Sequence, residues 1–486
     1  MRKFLSWLIT ITMLLSLALA VPALAEEKIV LTVLDYADST APYRKAATEA
    51  WLEKHPNVEV EYTLTTHTQL TQTIMAGINS GDTPDIFMIP DGITPAEAIA
   101  QGWYLPLTDY VDLSAFDYFV DGAIVEGKCM LDGKVYMVPE SGGDPHCFVL
   151  YNKDLWAAAG LTDEEIPKTY SQFRQVAKRL TEAGGGVSYG IVEGGTQSDR
   201  MWQNLVCWAD LSGGFYAVDS YLNLHTGRPD WNTQEICDVM QLWADLYADG
   251  SIHPNTASQG APDARAEFAN GQAGMIIQGW WNVGSWSKDY PELNYGVFAP
   301  PVSDAAYEAG IRGFVPLTTG KPSMGVSAST KHPELAVSYM MEVICGVEFQ
   351  SEAVAAGVQS SLLKTLAPGT VVPPVTEEYF AIGRELGRII PETVLYNLDT
   401  VRAVSAFTVP EPTPIDILKG VIAGQITDYK PMLENFTLQA NAAWDDALAQ
   451  ANADGANLTD HDFAFPEWDG SAHFDEAAYE AHREAK

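Results

Sequence analysis

Apolar positions change their spacing along the chain, and each change marks an element. Ile29 to Leu34 is an apolar run that predicts a buried strand. Tyr43, Ala46, Ala47, Ala50 and Trp51 recur at helical spacing, with Pro42 suited to a first turn and Pro56 beyond the end. Val58 to Leu64 alternates like a strand, Leu70 to Ile78 predicts a helix stopped at Gly81, and Asp85 to Ile89 predicts a third strand. Strand and helix in alternation predict a parallel α/β lobe. Ligands of such sheets sit outside the carboxyl ends of the strands, which directs attention to the loops Asp35 to Thr40, Thr65 to Thr68 and Pro90 to Thr94. Further on, Phe148 to Tyr151 reads as a strand that turns at Asn152 into a short helix stopped at Gly160. Thr169 can cap the next helix with Gln172 reaching back, and Phe173, Val176, Ala177 and Leu180 share one face.

The ends and the composition narrow the class. Arg2 and Lys3, an apolar run from Phe4 to about Ala20, and Ala23-Leu24-Ala25 before two glutamates have the anatomy of a secretory signal peptide, residues 1–25. A membrane anchor is the alternative, since a run of roughly twenty apolar residues can span a bilayer. The first cysteine is Cys129, so no cysteine stands at the cleavage point for lipid attachment, and the product is expected to be periplasmic or secreted. Cleavage removes two positive charges and shifts the formal net charge from -36 to -38. Such a chain has no basic stripe for nucleic acid or an anionic membrane face, and a neutral or cationic ligand suits it better unless local arginines overrule the net field. The five cysteines, Cys129, Cys147, Cys207, Cys237 and Cys345, have neither zinc-ribbon nor CxxC spacing and are expected to be mostly buried thiols. With 47% hydrophobic residues, the processed chain can fill two packed lobes.

Several segments carry a resemblance, and they come in a fixed order. TPDIFMI (Thr83 to Ile89), GWYLPLTDYV (Gly102 to Val111), DGKVYMVPES with FVLYNKDLWAAAGL and PKTYSQFRQVAKRL (Asp132 to Leu180), FANGQAGMIIQGWW (Phe268 to Trp281), YGVFAPP (Tyr295 to Pro301) and MGVSASTKHPELAVSYMMEVI (Met324 to Ile344) follow one another. Together they resemble the extracellular solute-binding proteins of ABC importers, the sugar-binding family that includes maltose-binding proteins. The resemblance implies a two-lobe α/β periplasmic binding protein fold of type II, with a hinge of three crossings near Glu140 to Pro145, Val297 to Pro301 and Cys345 to Phe349. Residues 26–142 and 299–345 would form the N-terminal lobe, and residues 146–297 and 347–486 the C-terminal lobe. It further implies a monomer that binds a carbohydrate in the interlobe cleft, needs no cofactor, catalyses nothing, and delivers its ligand to a membrane permease. A non-sugar solute (metal, peptide or other small molecule) is the alternative ligand, and a secreted carbohydrate-active enzyme the alternative class.

A neutral sugar offers hydroxyls and an apolar face, so its site needs aromatic planes and convergent polar groups, usually in a cleft between domains. Trp280 and Trp281 follow Gly279 directly after a strand, and the resemblance puts a stacking tryptophan at one of them. Trp202 lies on a helix start with Leu205 and Trp208 at spacing three, which also fits a buried stripe. Glu140 stands at the first crossing, Asp35 and Tyr36 follow the first strand, His67 the second and Asp91 the third; each could contact ligand or serve its own loop. Relatives carry an aromatic residue at the edge where this chain has Ile89-Pro90. Other chemistry finds little support. Gly186 to Gly190 spells GxSxG but leads into a strand rather than a helix. HExxH, Walker and strand-linked GxGxxG motifs are absent. The echo of a calcium loop at Asn452, Asp454 and Gly455 has Gln450 and His461 where acidic ligands belong. The tail from Gly455 onward is expected to pack through Phe463, Phe465 and Trp468.

Overall fold

A computed structural model describes residues 28–484, apart from 91, 92, 94, 121, 126–127, 143–146, 218–219 and 318–321. The segment read as a signal peptide and Asp91 therefore lie outside the described residues. In chain order the elements that frame the site are β1 (Ile29–Asp35), α1 (Ala41–Lys54), β2 (Val58–Leu64), α2 (His67–Ser80), β3 (Ile86–Met88), β4 (Met137–Pro139), β5 (Phe148–Asn152), α3 (Tyr170–Gly184), β6 (Tyr189–Ile191), α4 (Ser198–Leu211), α5 (Gln234–Ala248), α6 (Ala261–Ala269), β7 (Ala273–Gln278), α7 (Asn282–Asp289), β8 (Tyr295–Phe298), β9 (Val315–Leu317), β10 (Pro322–Val326), α8 (Val347–Ala355), β11 (Gly387–Ile389), α9 (Lys430–Ala453) and α10 (Glu476–Glu484).

The strands form two separate sheets with separate cores. The first has the order β2-β1-β3-β10-β4, in which β1 runs parallel to β2 and β3 while β10 runs antiparallel to β3 and β4. Its centre is Leu31, Val33, Ile86, Phe87, Met88 and Val138, all essentially inaccessible to solvent. The second has the order β8-β5-β7-β6, with β6 and β7 parallel and the other pairs antiparallel. Its core is larger and richer in tryptophan, with Trp208, Trp231 and Trp243 buried under α3, α4 and α5. This is the α/β, two-lobe arrangement expected from the sequence.

Local signals account for most element boundaries. The Thr66 hydroxyl accepts the Gln69 amide at the start of α2, and Gly81 ends that helix at φ 73°. Asn152 accepts the amides of Asp154 and Leu155, turning β5 into a short helix. On α3 the residues Phe173, Val176, Ala177 and Leu180 are all buried. Thr169 caps that helix, but Gln172 reaches one residue further than a capping box requires, accepting the Lys168 amide at 2.8 Å. The buried face of α1 is Ala41, Arg44, Thr48 and Trp51, whereas Ala46 and Ala50 are exposed. The expected apolar stripe is thus rotated toward two polar residues, because Arg44 and Thr48 find buried partners that small alanines do not need.

The crossings between lobes differ from expectation at two of three places. After β8 the chain stays with the second lobe: Val302 exchanges backbone hydrogen bonds with Lys168 and Tyr170, Ser303 N–H donates to the Ser212 hydroxyl, and Val315 joins the second core. β9 pairs with β11, so the return to the first lobe falls between β9 and β10 rather than near Val297 to Pro301. Past Cys345 the chain remains on the first lobe. Phe349, Ala353 and Val358 pack with Tyr43 and Ala47, and Leu362 and Leu363 join the first core. The last crossing follows Leu363, before the helix Pro374–Leu386, whose Tyr379 hydroxyl donates to the Gln278 carbonyl at 2.9 Å. The tail packs as expected on Phe463, Phe465 and Trp468, with Phe314 and Phe215 beneath Trp468. The calcium-loop echo is used locally, since the Asn452 carboxamide both donates to the Leu458 carbonyl and accepts its amide. Among the described residues no acidic, histidine and cysteine cluster could hold a metal ion, and no helix is long and apolar enough to cross a membrane. The five cysteines are free thiols, four of them buried.

Candidate functional site

The first-lobe side of the site is organised around a residue the sequence reading passed over. Asp35 ends β1 and is fully buried. One of its oxygens accepts the Ala37 amide at 2.8 Å; the other accepts from Arg44 and from the Tyr62 hydroxyl. The other terminal nitrogen of Arg44 donates to Glu140, which also accepts the Thr40 hydroxyl at 3.1 Å. The Arg44 guanidinium lies over the Phe349 ring, 5.3 Å from its centroid. Burial works against the Arg44 charge, and Asp35 and Glu140 outweigh it, holding its pKa above the ordinary value. Burial pushes the Tyr62 hydroxyl up. Asp35 is thereby committed to Arg44 and does not face solvent, while Glu140 keeps 24% of its side chain exposed at the first crossing. Tyr36 is partly buried against the first core, and His67 opens α2.

On the second lobe, β6 and β7 run side by side, and the helices that follow them, α4 and α7, begin past their carboxyl ends. Gly279 follows β7 without a side chain for a steric reason: a Cβ there would lie 2.0 Å from the Trp281 ring, which folds back over it. Trp281 is partly buried, whereas Trp280 is only 6% exposed and belongs to the core, edge-on to Trp281 at 5.7 Å. Trp202 is half-buried, edge-on to Tyr221 at 4.6 Å and tilted against Trp231 at 5.3 Å. Trp208 is wholly core.

Polar groups gather around Trp281. Arg200, 3% exposed on the first turn of α4, places its guanidinium over the Trp281 ring at 5.3 Å. Arg265 on α6 donates to Asn282 at 3.2 Å, and Asn282 in turn donates to the Gly279 carbonyl at 2.8 Å. Behind them Glu193 is fully buried and accepts the Ile277 amide at 2.5 Å. Burial pushes its pKa up to about 8, offset only in part by that amide, Arg200 and Asn204. The side-chain carboxamide of Gln278 is buried without a hydrogen-bond partner among the described residues, an arrangement that costs about 1–3 kcal/mol unless water or ligand answers it. The lobes also meet through the ion pair of Lys128 with Glu392 and through the Gly284 amide donating to the Gly357 carbonyl at 3.3 Å.

The structure therefore brings Trp281 together with Arg200, Arg265 and Asn282, and ties Asp35 and Glu140 through Arg44. Trp280 and Trp208 go to the core. Arg44, Arg200, Arg265 and Glu193 carried no motif. Arg44 could have been found from its place three and seven residues before Ala47 and Trp51, on the buried face of α1. Ser188 of the GxSxG run is 5% exposed and precedes β6 with no helix start behind it, so it lacks the strand-to-helix elbow a nucleophile needs.

The sequence profile of the family described as "Bacterial extracellular solute-binding protein" matches residues 36–340, and the chain belongs to that family. Among relatives, a Brucella abortus protein named only as a binding protein is 26% identical over 301 residues, 61% of this chain and 67% of its own length. The galactooligosaccharide-binding protein of Bacillus subtilis is 24% identical over 288 residues, 59% of this chain and 62% of its own. Solved structures of the same fold include a maltose-bound protein of T. maritima (TM-score 0.65, 18% identity, 85% of this chain and 99% of that one). A substrate-binding protein of Listeria monocytogenes in complex with cycloalternan is also similar (TM-score 0.63, 16% identity, 85% and 98%). These likenesses show the fold.

Two predictions follow the buried charges. Replacing Arg44 by Met leaves Asp35 buried and unpaired and should cost about 3–5 kcal/mol in urea unfolding, while Asp35→Asn in the same chain should recover part of that loss. Simple additivity of the two changes would contradict the coupling. For Glu193 the native pKa of about 8 lies above the unfolded value, so the native state keeps a proton that the unfolded state gives up, and stability falls as pH rises through that interval. Glu193→Gln should therefore gain about 1–3 kcal/mol on the parent chain between pH about 5 and about 7.5; a constant difference over that range would contradict the burial.

Proposed function

We propose that this protein captures a carbohydrate between its two lobes and hands it to the membrane permease of an ABC importer, breaking no bond. The observation that carries this reading is the composition of the second-lobe site: a partly buried tryptophan ring, held over a glycine, ringed by side-chain donors at the carboxyl ends of two parallel strands. A sugar needs that combination, an aromatic plane for its C–H face and convergent donors for its hydroxyls. Names of relatives support it, including a galactooligosaccharide-binding protein and a chitin oligosaccharide binding protein. From the first lobe, Glu140, Tyr36, His67 and Asp91 would supply contacts, with Asp35 acting through Arg44. From the second, Trp281 would stack and Trp202 would wall the site.

The same residues give the transport step its physics. A ligand touching both lobes binds the closed arrangement better than the open one, and only that difference shifts the population. The permease then selects the closed shape. Export of a monomer by the segment at residues 1–25 belongs to the same reading.

Calorimetric titration of the processed protein, stripped of co-purified ligand, against mono- and oligosaccharides tests the proposal. One saccharide class should bind without turnover, and Trp281→Ala should weaken it about tenfold or more. Unchanged affinity in that variant, or release of reducing ends from the ligand, would overturn the reading.

A further inference from the structure

Two sulfurs meet inside the second lobe. Cys147 stands just after the first crossing, where β5 begins, and Cys207 lies on α4. Both belong to one apolar core, with Cys147 fully buried and Cys207 7% exposed. The two places touch directly through the backbone: the Trp208 indole N–H donates to the Cys147 carbonyl at 3.3 Å. Beside that bond the two thiols face each other within hydrogen-bond reach, and Cys147 is the strongest influence on Cys207. That contact pushes the Cys207 pKa well above its ordinary value; burial and Asp210 act the same way, and Arg200 acts against them. The other three cysteines have different surroundings. Cys129 donates to the Ala123 carbonyl at 3.2 Å, Cys345 packs in the first-lobe core, and Cys237 is partly buried on α5.

In a reducing compartment a buried thiol serves as a small apolar filler. The family to which this chain belongs is extracellular, and outside the cytoplasm two thiols in contact are a dithiol open to oxidising exchange while the chain folds. A bond there would also stabilise the lobe. It closes a loop of about 60 residues, and the restriction it places on the unfolded chain grows with loop length. Its position bears on the site as well. Because β5 leaves the first crossing and α4 carries Arg200 and Trp202 nearer its start, the bond would tie one wall of the site to that strand.

From this geometry we infer that Cys147 and Cys207 are joined by a disulfide in the exported protein. The thiolate of one cysteine attacks an external disulfide, of a small molecule or of an oxidoreductase, and displaces one of its sulfurs as a thiol. The second cysteine then attacks the mixed disulfide, closing the Cys147 to Cys207 bond and releasing the other sulfur. Two S–H bonds are replaced by one S–S bond, and two electrons and two protons pass to the external disulfide, which leaves as two thiols. Since both cysteines are buried in the finished lobe, the exchange belongs to the folding chain, before α4 seats against β5. The inference is independent of which ligand the protein takes.

The test is a cysteine map of the processed chain exported to an oxidising compartment behind a bacterial host's own signal. The protein is unfolded in guanidinium with an alkylating agent, digested without reduction and read by mass spectrometry. One linked peptide pair should join Cys147 to Cys207, with Cys129, Cys237 and Cys345 alkylated. As a second reading, the oxidised chain is compared with the same chain reduced and refolded in dithiothreitol. The reduced form should melt about 4 °C lower or more, and Cys147→Ala and Cys207→Ala should each abolish that difference. Comparing each variant with itself in the two states cancels the cavity left by the smaller side chain, and the map of the unaltered chain decides the matter where a variant does not fold. Alkylation of all five cysteines, a bridge joining any other two, or a redox difference in melting that survives in Cys207→Ala would overturn the inference.

Discussion

Arg44 is the constraint on which the hinge depends. A guanidinium 1% exposed has lost its hydration, and it is tolerated because Asp35, at the end of the first strand, and Glu140, at the first crossing, both accept from it. The Phe349 ring covers it from α8, and Thr48 on the next turn bonds the Tyr339 hydroxyl at 2.7 Å. One charge thus fixes the positions of a strand end, a crossing strand and the C-terminal part of the first lobe. The first crossing thereby leaves the first lobe from a Glu140 that this network anchors.

The second lobe is organised differently at its strand ends. There Arg200 and Arg265 converge on Trp281 and Asn282, and the side-chain carboxamide of Gln278 is buried without a hydrogen-bond partner among the described residues. A site that is satisfied alone has no reason to close on anything. One left with an unanswered buried carboxamide gains by taking a ligand, and more so if the ligand also reaches Glu140 across the gap. The rigid network on one side and the unsatisfied one on the other are complementary parts of a capture device.

Much of the fold was legible because its signals are local. The period of Phe173, Val176, Ala177 and Leu180, the caps at Thr66, Thr169 and Asn152, and the stops at Gly81 and Gly160 each depend on a few neighbouring residues. The crossings were legible only in part, since whether Val315 or Phe349 joins one core or the other is decided by partners far along the chain. Trp280 and Trp281 could not be told apart from sequence, because Gly279 decides which ring folds back over the strand end. The arginines were invisible for a different reason. Arg44, Arg200 and Arg265 lie in helices that carry no motif, and their partners, carboxylates, a ring and a carboxamide, are supplied by other elements.

A crystal structure of the processed protein with its saccharide bound tests the central claim most directly. The account predicts a sugar ring against Trp281, within hydrogen-bond reach of Arg265 and of at least one first-lobe residue, with the Arg44 to Asp35 and Glu140 contacts intact. A ligand held by one lobe alone, or seated away from Trp281, would contradict it.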